Sequence, residues 1–209
     1  MRFLPTKNTA RRVFGQIANE YDLVYFGTVD PRIDHDYKIV GGLTASPYTR
    51  DENYTTGDVY DYEVAFLQRS REVITTSDIK QRRQWTILQV NFKKATVPHF
   101  LVDGRRRTEE YGALLASTQR WREIGWQHIT NGAKFTRIFA TYAAPLDVET
   151  ISSFLTEEVQ TMLATYFSEF DYEFQGNKLL VYATNAKVDL QMLDRMLRVG
   201  LWLARQLDK

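Results

Sequence analysis

The sequence predicts an α+β fold: an antiparallel sheet with helices packed on it, ending in a β-hairpin and a long amphipathic helix. Three observations predict it. Residues 135–207 read in turn as strand, helix, hairpin and helix, with capping and turn residues where those elements should end. Three segments upstream alternate in side-chain character as strands do. The chain has 209 residues and is 44% apolar, enough for one good-sized core.

The elements follow in order. Thr9–Tyr21 reads as a short helix capped by Asn8 or Thr9, with Val13, Phe14, Ile17 and Tyr21 on one face. The next stretch, to Tyr48, is loop-rich, with short strand pieces at Tyr37–Val40 and Leu43–Ala45 around Gly41-Gly42. Asp58–Arg69 reads as one strand rich in aromatic and β-branched residues. In Arg83–Lys93, Thr86, Leu88, Val90 and Phe92 point one way, and Trp85, Ile87, Gln89 and Asn91 the other. His99–Asp103 follows Pro98 and stops at Gly104. These three strands read as an antiparallel meander. Thr108–Gly125 mixes helix formers with Gly112 and Gly125, and either helix or loop fits it.

Phe135–Ala143 reads as a strand broken by Pro145. Asp147 can cap a short helix reaching Phe154. Thr156 can cap the next helix, whose Glu157 and Glu158 suit its N-terminal dipole. Phe170–Phe174 and Lys178–Ala183 are strands joined at Gln175-Gly176-Asn177, where Gly and Asn supply positive φ angles. Asp189 caps a long helix with Leu193, Met196, Leu197, Leu201 and Ala204 on its apolar face and Arg195, Arg198 and Arg205 mostly opposite. A single continuous domain over 1–209 is expected. Asn131-Gly132 marks a sub-boundary between a β-rich part (1–130) and an α+β part (133–209) that would make a thin core alone.

Composition excludes several chemistries. There is no cysteine, hence no disulfide, thiolate nucleophile or cysteine-based metal site. No stretch approaches the roughly 20 apolar residues of a membrane span, and the N-terminus lacks a signal-peptide run. A soluble cytoplasmic protein without a transmembrane segment is expected. His35, His99 and His128 lack histidine partners at ligand spacing. Asp30, Asp34, His35 and Asp36 have the oxygens of a calcium site without its glycine-bearing loop pattern, and read as a solvated acidic loop. No cofactor is expected, because no phosphate-cradling glycine motif occurs. His99 and Asp103, four residues apart on one strand face, could orient a general base, but no nucleophile motif completes them. Asp103 fits a strand-end turn with Gly104 better. Asp61/Glu63 and Asp171/Glu173, at period two on strands, read as solvent-facing pairs.

Charge is unevenly distributed. Lys80–Arg107 holds eight cationic residues against Asp103 alone, a net of +7, whereas 138–177 holds seven acids and no Lys or Arg. The candidate binding residues are Arg82, Arg83, Arg105, Arg106 and Arg107; arginine beside Trp85 suits anionic and stacking contacts. The competing readings are a solvated face and a basic segment packed against the acidic one.

The segment FTRIFATYAAPLDVETISSFLTEEVQTMLATYFSEFDYEFQGNKLLVYAT, with VPHFLVD at Val97–Asp103, resembles a bacterial family of domains of unknown function, over about residues 97–185. Phe135, Phe139, Leu155, Thr156, Leu163, Phe174, Asn177 and Leu180 carry the resemblance. Glu157 stands where that family has proline. Its members are either soluble or attached to N-terminal transmembrane helices. The resemblance implies a shared fold and brings no catalytic residues.

The function expected is therefore a non-enzymatic intracellular binding or scaffold domain that recognises a protein partner or an acidic surface. The alternatives are an enzyme with a polar site near His99 and Asp103, and a nucleic-acid binder using the basic segment 80–107.

Overall fold

The computed structural model describes residues 7–29, 43–44, 49–74, 80–105, 122–124 and 132–209. Helix α1 (Lys7–Glu20) forms where expected and buries Val13, Phe14 and Ile17. The chain turns at Asp22, in left-handed backbone conformation, and enters strand β1 (Val24–Val29). This corrects the loop reading there: register shifts on both sides of Gly27 disrupt the alternation that would have marked a strand. Leu43 and Thr44 lie in a turn, not a strand, and Tyr37–Val40 lies outside the described residues.

Asp58–Arg69 is two strands, not one. Strand β2 (Arg50–Val59) turns back through Tyr60 and Asp61, with φ of 49° and 63°, into strand β3 (Tyr62–Ile74), and Val59 pairs with Tyr62. Two consecutive left-handed residues are the geometry of a type I′ hairpin. Strand β4 (Lys80–Asn91) pairs with β3 in unbroken register.

The expected meander ends at β4. Strand β5 (Val97–Gly104) pairs with two later strands, β7 (Phe139–Ala143) and β8 (Asp171–Gly176), and β9 (Lys178–Thr184) pairs with β4. With the short β6 (Arg122–Ile124) at one edge, the order is β1-β2-β3-β4-β9-β8-β5-β7-β6. The C-terminal hairpin thus sits between β4 and β5. Asp208 holds the connection across it, accepting from the backbone N–H groups of Lys93, Lys94 and Ala95, each at 2.9 Å.

The hairpin turn is as expected at Gly176, whose φ is +60°, while Asn177 keeps an ordinary φ. Gly132–Ile138 is a helix, α2, rather than the first half of a strand. Phe135 and Phe139 are four residues apart, and their rings meet at 5.1 Å, a helical spacing that an aromatic-rich segment disguises as strand. After a single 3-10 turn at Pro145–Asp147 come α3 (Val148–Phe154) and α4 (Glu157–Tyr166). Asp147 occupies the cap position of α3 but its side chain makes no capping hydrogen bond; Thr156 does cap α4, accepting from Val159 N. Asp189 caps α5 (Leu190–Leu207) by accepting from Met192 N at 2.9 Å.

The helices cover one face of the sheet and share one core with it. All five apolar residues expected on α5 are buried, together with Val199, Gly200 and Leu203. Gly200 marks the closest approach to the sheet: a Cβ there would lie 2.9 Å from both Leu88 Cδ2 and Val90 Cγ2. Among the described residues, no helix is long and apolar enough to cross a membrane.

Candidate functional site

The opposite face of the sheet is different. Ala65, Leu67, Trp85, Ile87, Leu180 and Tyr182 form a small apolar cluster, and beside it charged residues are buried rather than solvated. Asp171 and Glu173 are fully buried, which corrects their reading as a solvent-facing pair. Glu173 lies between Tyr172 and Phe174 on β8, and these two aromatic residues point into the helical core while the carboxylate points the other way.

Burying a carboxylate is costly unless hydrogen bonds replace its water. Four replace it here. Leu43 N–H donates to both Glu173 oxygens at 3.1 and 3.0 Å, the Tyr182 hydroxyl donates to Oε2 at 2.5 Å, and His99 Nε2 lies 2.6 Å from Oε1. A second charged unit lies beside it. Arg69 on β3 donates to Asp51 on β2 through Nε at 2.8 Å and Nη2 at 2.6 Å, a bidentate pair with both side chains almost wholly buried. Its Nη1 donates to Thr44 Oγ1 at 3.2 Å. Leu43 and Thr44 are therefore fastened to the sheet face by both units.

His99 meets solvent, its side chain about a third exposed. Its partner is Glu173, 74 residues away in sequence, not Asp103. Four strand residues span about 13 Å, too far for a direct His99–Asp103 hydrogen bond. Asp103 is fully buried next to the last residue of β5, paired in register with Ala140, and Asp171 accepts from Gly104 N–H at 2.9 Å; the chain beyond Arg105 that would form the expected turn lies outside the described residues. Sequence reasoning missed Glu173, Tyr182, Arg69 and Asp51. The available signal was Arg69, which continues the parity of the apolar Ala65 and Leu67 along β3.

Tyr182 carries a testable consequence. Burial, then the charge and hydrogen bond of Glu173, push its hydroxyl well above the usual tyrosine value, outweighing Arg69 and Thr44. The unfolded chain loses this proton first, near pH 10. The contribution is therefore fully present below about pH 10 and is lost as pH rises beyond it. Chemical denaturation from neutral to alkaline pH should show stability falling above pH ~10, and Tyr182→Phe should make that fall shallower. An identical alkaline slope in the variant would contradict the buried Tyr182–Glu173 contact.

Arg82, Arg83 and Arg105 lie at one end of the sheet. Leu88, Val181, Tyr172 and Val102 stand in one row across β4, β9, β8 and β5. Because β4 and β5 run in opposite senses, Arg83 and Arg82 at the start of β4 and Arg105 just past β5 lie on the same side of that row, about three strand spacings or 14 Å apart. Arg82 is exposed and donates to Ser70 Oγ at 3.2 Å; Arg83 is half-buried, paired in register with Arg71. Exposed Arg105 binds the Thr136 carbonyl and pairs with Glu123 at 2.5 Å. Lys134 and Arg137 of α2 are exposed at the same end, where α2 leads into β7. Arg106 and Arg107 lie outside the described residues, as do His35, His128 and the Asp30–Asp36 cluster. Of the acidic segment, Asp171 and Glu173 are internal and Glu169 pairs with Arg195, while Glu149, Glu157 and Glu158 are exposed on α3 and α4. Among the described residues, no three His, Asp or Glu side chains gather as metal ligands.

Fold and site together define an α+β domain with helices on one sheet face and an internally paired, charged network on the other. No family model matches the chain, and no curated protein sequence does. A solved structure shares its architecture: the crystal structure of the mycobacterial trehalose monomycolate transport factor A, TtfA, matches with a TM-score of 0.57 over 97% of this chain and 94% of that chain, at 10% sequence identity. At that identity the likeness is one of fold alone.

Proposed function

We propose that this chain is a non-catalytic binding domain whose basic sheet end recognises acidic groups on a protein partner. The observation that carries this reading is the meeting of Arg82, Arg83 and Arg105, with Lys134 and Arg137, at one end of the sheet from separate strands and a helix. Of these, Arg82, Arg105, Lys134 and Arg137 are exposed, and clustered exposed cations steer and hold acidic partners. The buried ionisable groups support a binding role, since Glu173 and Arg69 are saturated by partners that fix the fold. The shared architecture with a protein named a transport factor is in keeping with it. Action in the cytoplasm, and kinship over 97–185 with the bacterial domain family, belong to the same proposal.

The test is binding of labelled polyglutamate, followed by fluorescence anisotropy. Arg82→Ser combined with Arg83→Ser should weaken binding at least about tenfold, a loss of about 1.4 kcal/mol, with an unchanged circular dichroism spectrum. Equal binding by parent and variant would reject the basic end as the site. Tighter binding of a single-stranded oligonucleotide than of polyglutamate would redirect the assignment to nucleic acid.

A further inference from the structure

Strand β1 ends the sheet order, and among the described residues no strand pairs with its outer side. Such an edge turns alternate N–H and C=O groups outward, where another extended chain pairs with them in a row. Edges are commonly blunted by charged side chains or proline, and the six residues VYFGTV contain neither. They expose apolar side chains instead: Val24 is 56% and Phe26 59% exposed. Val24 stands in register with Thr56 and through it with Ala65, so it lies on the sheet face away from the helices. Phe26 is the extra residue of a bulge, since β1 takes two steps from Tyr25 to Gly27 while β2 takes one from Thr55 to Tyr54. The bulge aims its ring at Tyr54, which packs on the same face, with 5.6 Å between centroids. At the start of β1 the border turns acidic. Asp58 and Glu63 are exposed and stand directly opposite each other, one row beyond Thr56 and Ala65 on the same face, and exposed Asp22 precedes the strand. Like charges opposite each other are unfavourable unless a cation joins them.

We infer that the β1 edge binds an extended segment of a partner protein as a further antiparallel strand, with two apolar side chains on Phe26 and Val24 and a Lys or Arg against Asp22 and Asp58. The edge fixes the extended conformation, and the pleat fixes the spacing: alternate residues of the segment share the face of Val24 and Phe26, so the cation follows the second apolar residue by two positions. Every pairing in this sheet is antiparallel, which sets the direction. Charge and area decide against a second copy of this chain. Strand β1 holds no Lys or Arg, so a copy leaves the acids unmet. Two such edges, each about 20 Å long and about 10 Å thick, bury roughly 400 Å², well under the ~1,000 Å² of a stable dimer. A peptide contact of that size is weak and reversible. The acidic border lies near the end of β4, where Asn91 donates to Glu63, and Arg82 and Arg83 lie at its start. This site therefore stands or falls separately from the basic end.

The probe is the blocked hexapeptide TVTVTK, labelled at its N-terminus and titrated into the intact protein. Fluorescence anisotropy reads affinity, and hydrogen exchange of the β1 amides reads location. Anisotropy should rise saturably, and exchange should slow at β1. Replacing the peptide's lysine by glutamate should weaken binding at least about fivefold. Methylating the peptide's amide nitrogens that face β1 should abolish it. Phe26→Lys should weaken binding at least about tenfold, with an unchanged circular dichroism spectrum. The peptide series on the parent protein decides the matter even if that variant folds poorly. No saturable binding, equal binding of the lysine and glutamate peptides, equal binding of the methylated peptide, or slowed exchange confined to other strands would each overturn the assignment. Protection of β1 that rises with protein concentration in the absence of peptide would give the edge to a second copy and overturn it as well.

Discussion

Replacing Arg69 by alanine is expected to destabilise the fold by about 3–5 kcal/mol, because it leaves the Asp51 carboxylate buried without its countercharge. Both side chains are within a few per cent of full burial, and the pair is bidentate, so water cannot readily replace the guanidinium. The cost is that of the orphaned charge, not the net worth of the pair. Replacing both partners, Asp51→Leu with Arg69→Met, should therefore cost less than Arg69→Ala alone. Equilibrium urea denaturation of the three proteins measures this. A loss below about 1 kcal/mol for Arg69→Ala would mean that the pair is open to water.

The second large effect lies in the helical core. Leu197 is 1% exposed on the face of α5 that packs on β4 and β9. Leu197→Ala should cost about 2–5 kcal/mol, the transfer term of the lost carbons plus the cavity they leave. Gly200, one turn further on the same face, already brings helix and strand too close for the backbone to close that gap freely. Urea denaturation again provides the measurement. A loss below about 0.5 kcal/mol would show that this face is not core.

Local chemistry made part of this fold legible. Thr156 and Asp189 cap the helices they were expected to cap, Gly176 makes the hairpin turn, and the period of Leu193, Met196, Leu197 and Leu201 identified the buried face of α5. The misread places are those where a local signal was missing or shared. The β2–β3 turn uses Tyr60 and Asp61 in left-handed conformation without a glycine, so the residues on either side read as one strand. Phe135 and Phe139 fit either period. The insertion of β8–β9 between β4 and β5 is a non-local pairing that leaves no mark on β4 or β5 themselves.

The candidate site was less legible than the fold. Carboxylates at period two are as common on a solvated strand as on a buried one. What decides the case for Glu173 is its donors, Leu43 lying 130 positions away and His99 74. The arginines were recognised as a cationic run, but their meeting at one end depends on the opposite senses of β4 and β5, set by the two strands between them. Arg105 also proved to be more than a surface charge, since it ties the end of β5 to Thr136 and Glu123.

The most direct test of the central claim, that the basic sheet end binds acidic partners, is the salt dependence of polyglutamate binding by the parent protein. Exposed cations separated by about 14 Å act together at low ionic strength, and they are screened once the Debye length falls to about 8 Å near 0.15 M salt. Binding should be present at low salt and should fall steeply through physiological ionic strength. Absence of binding even at low salt, or binding that salt does not weaken, would contradict the account.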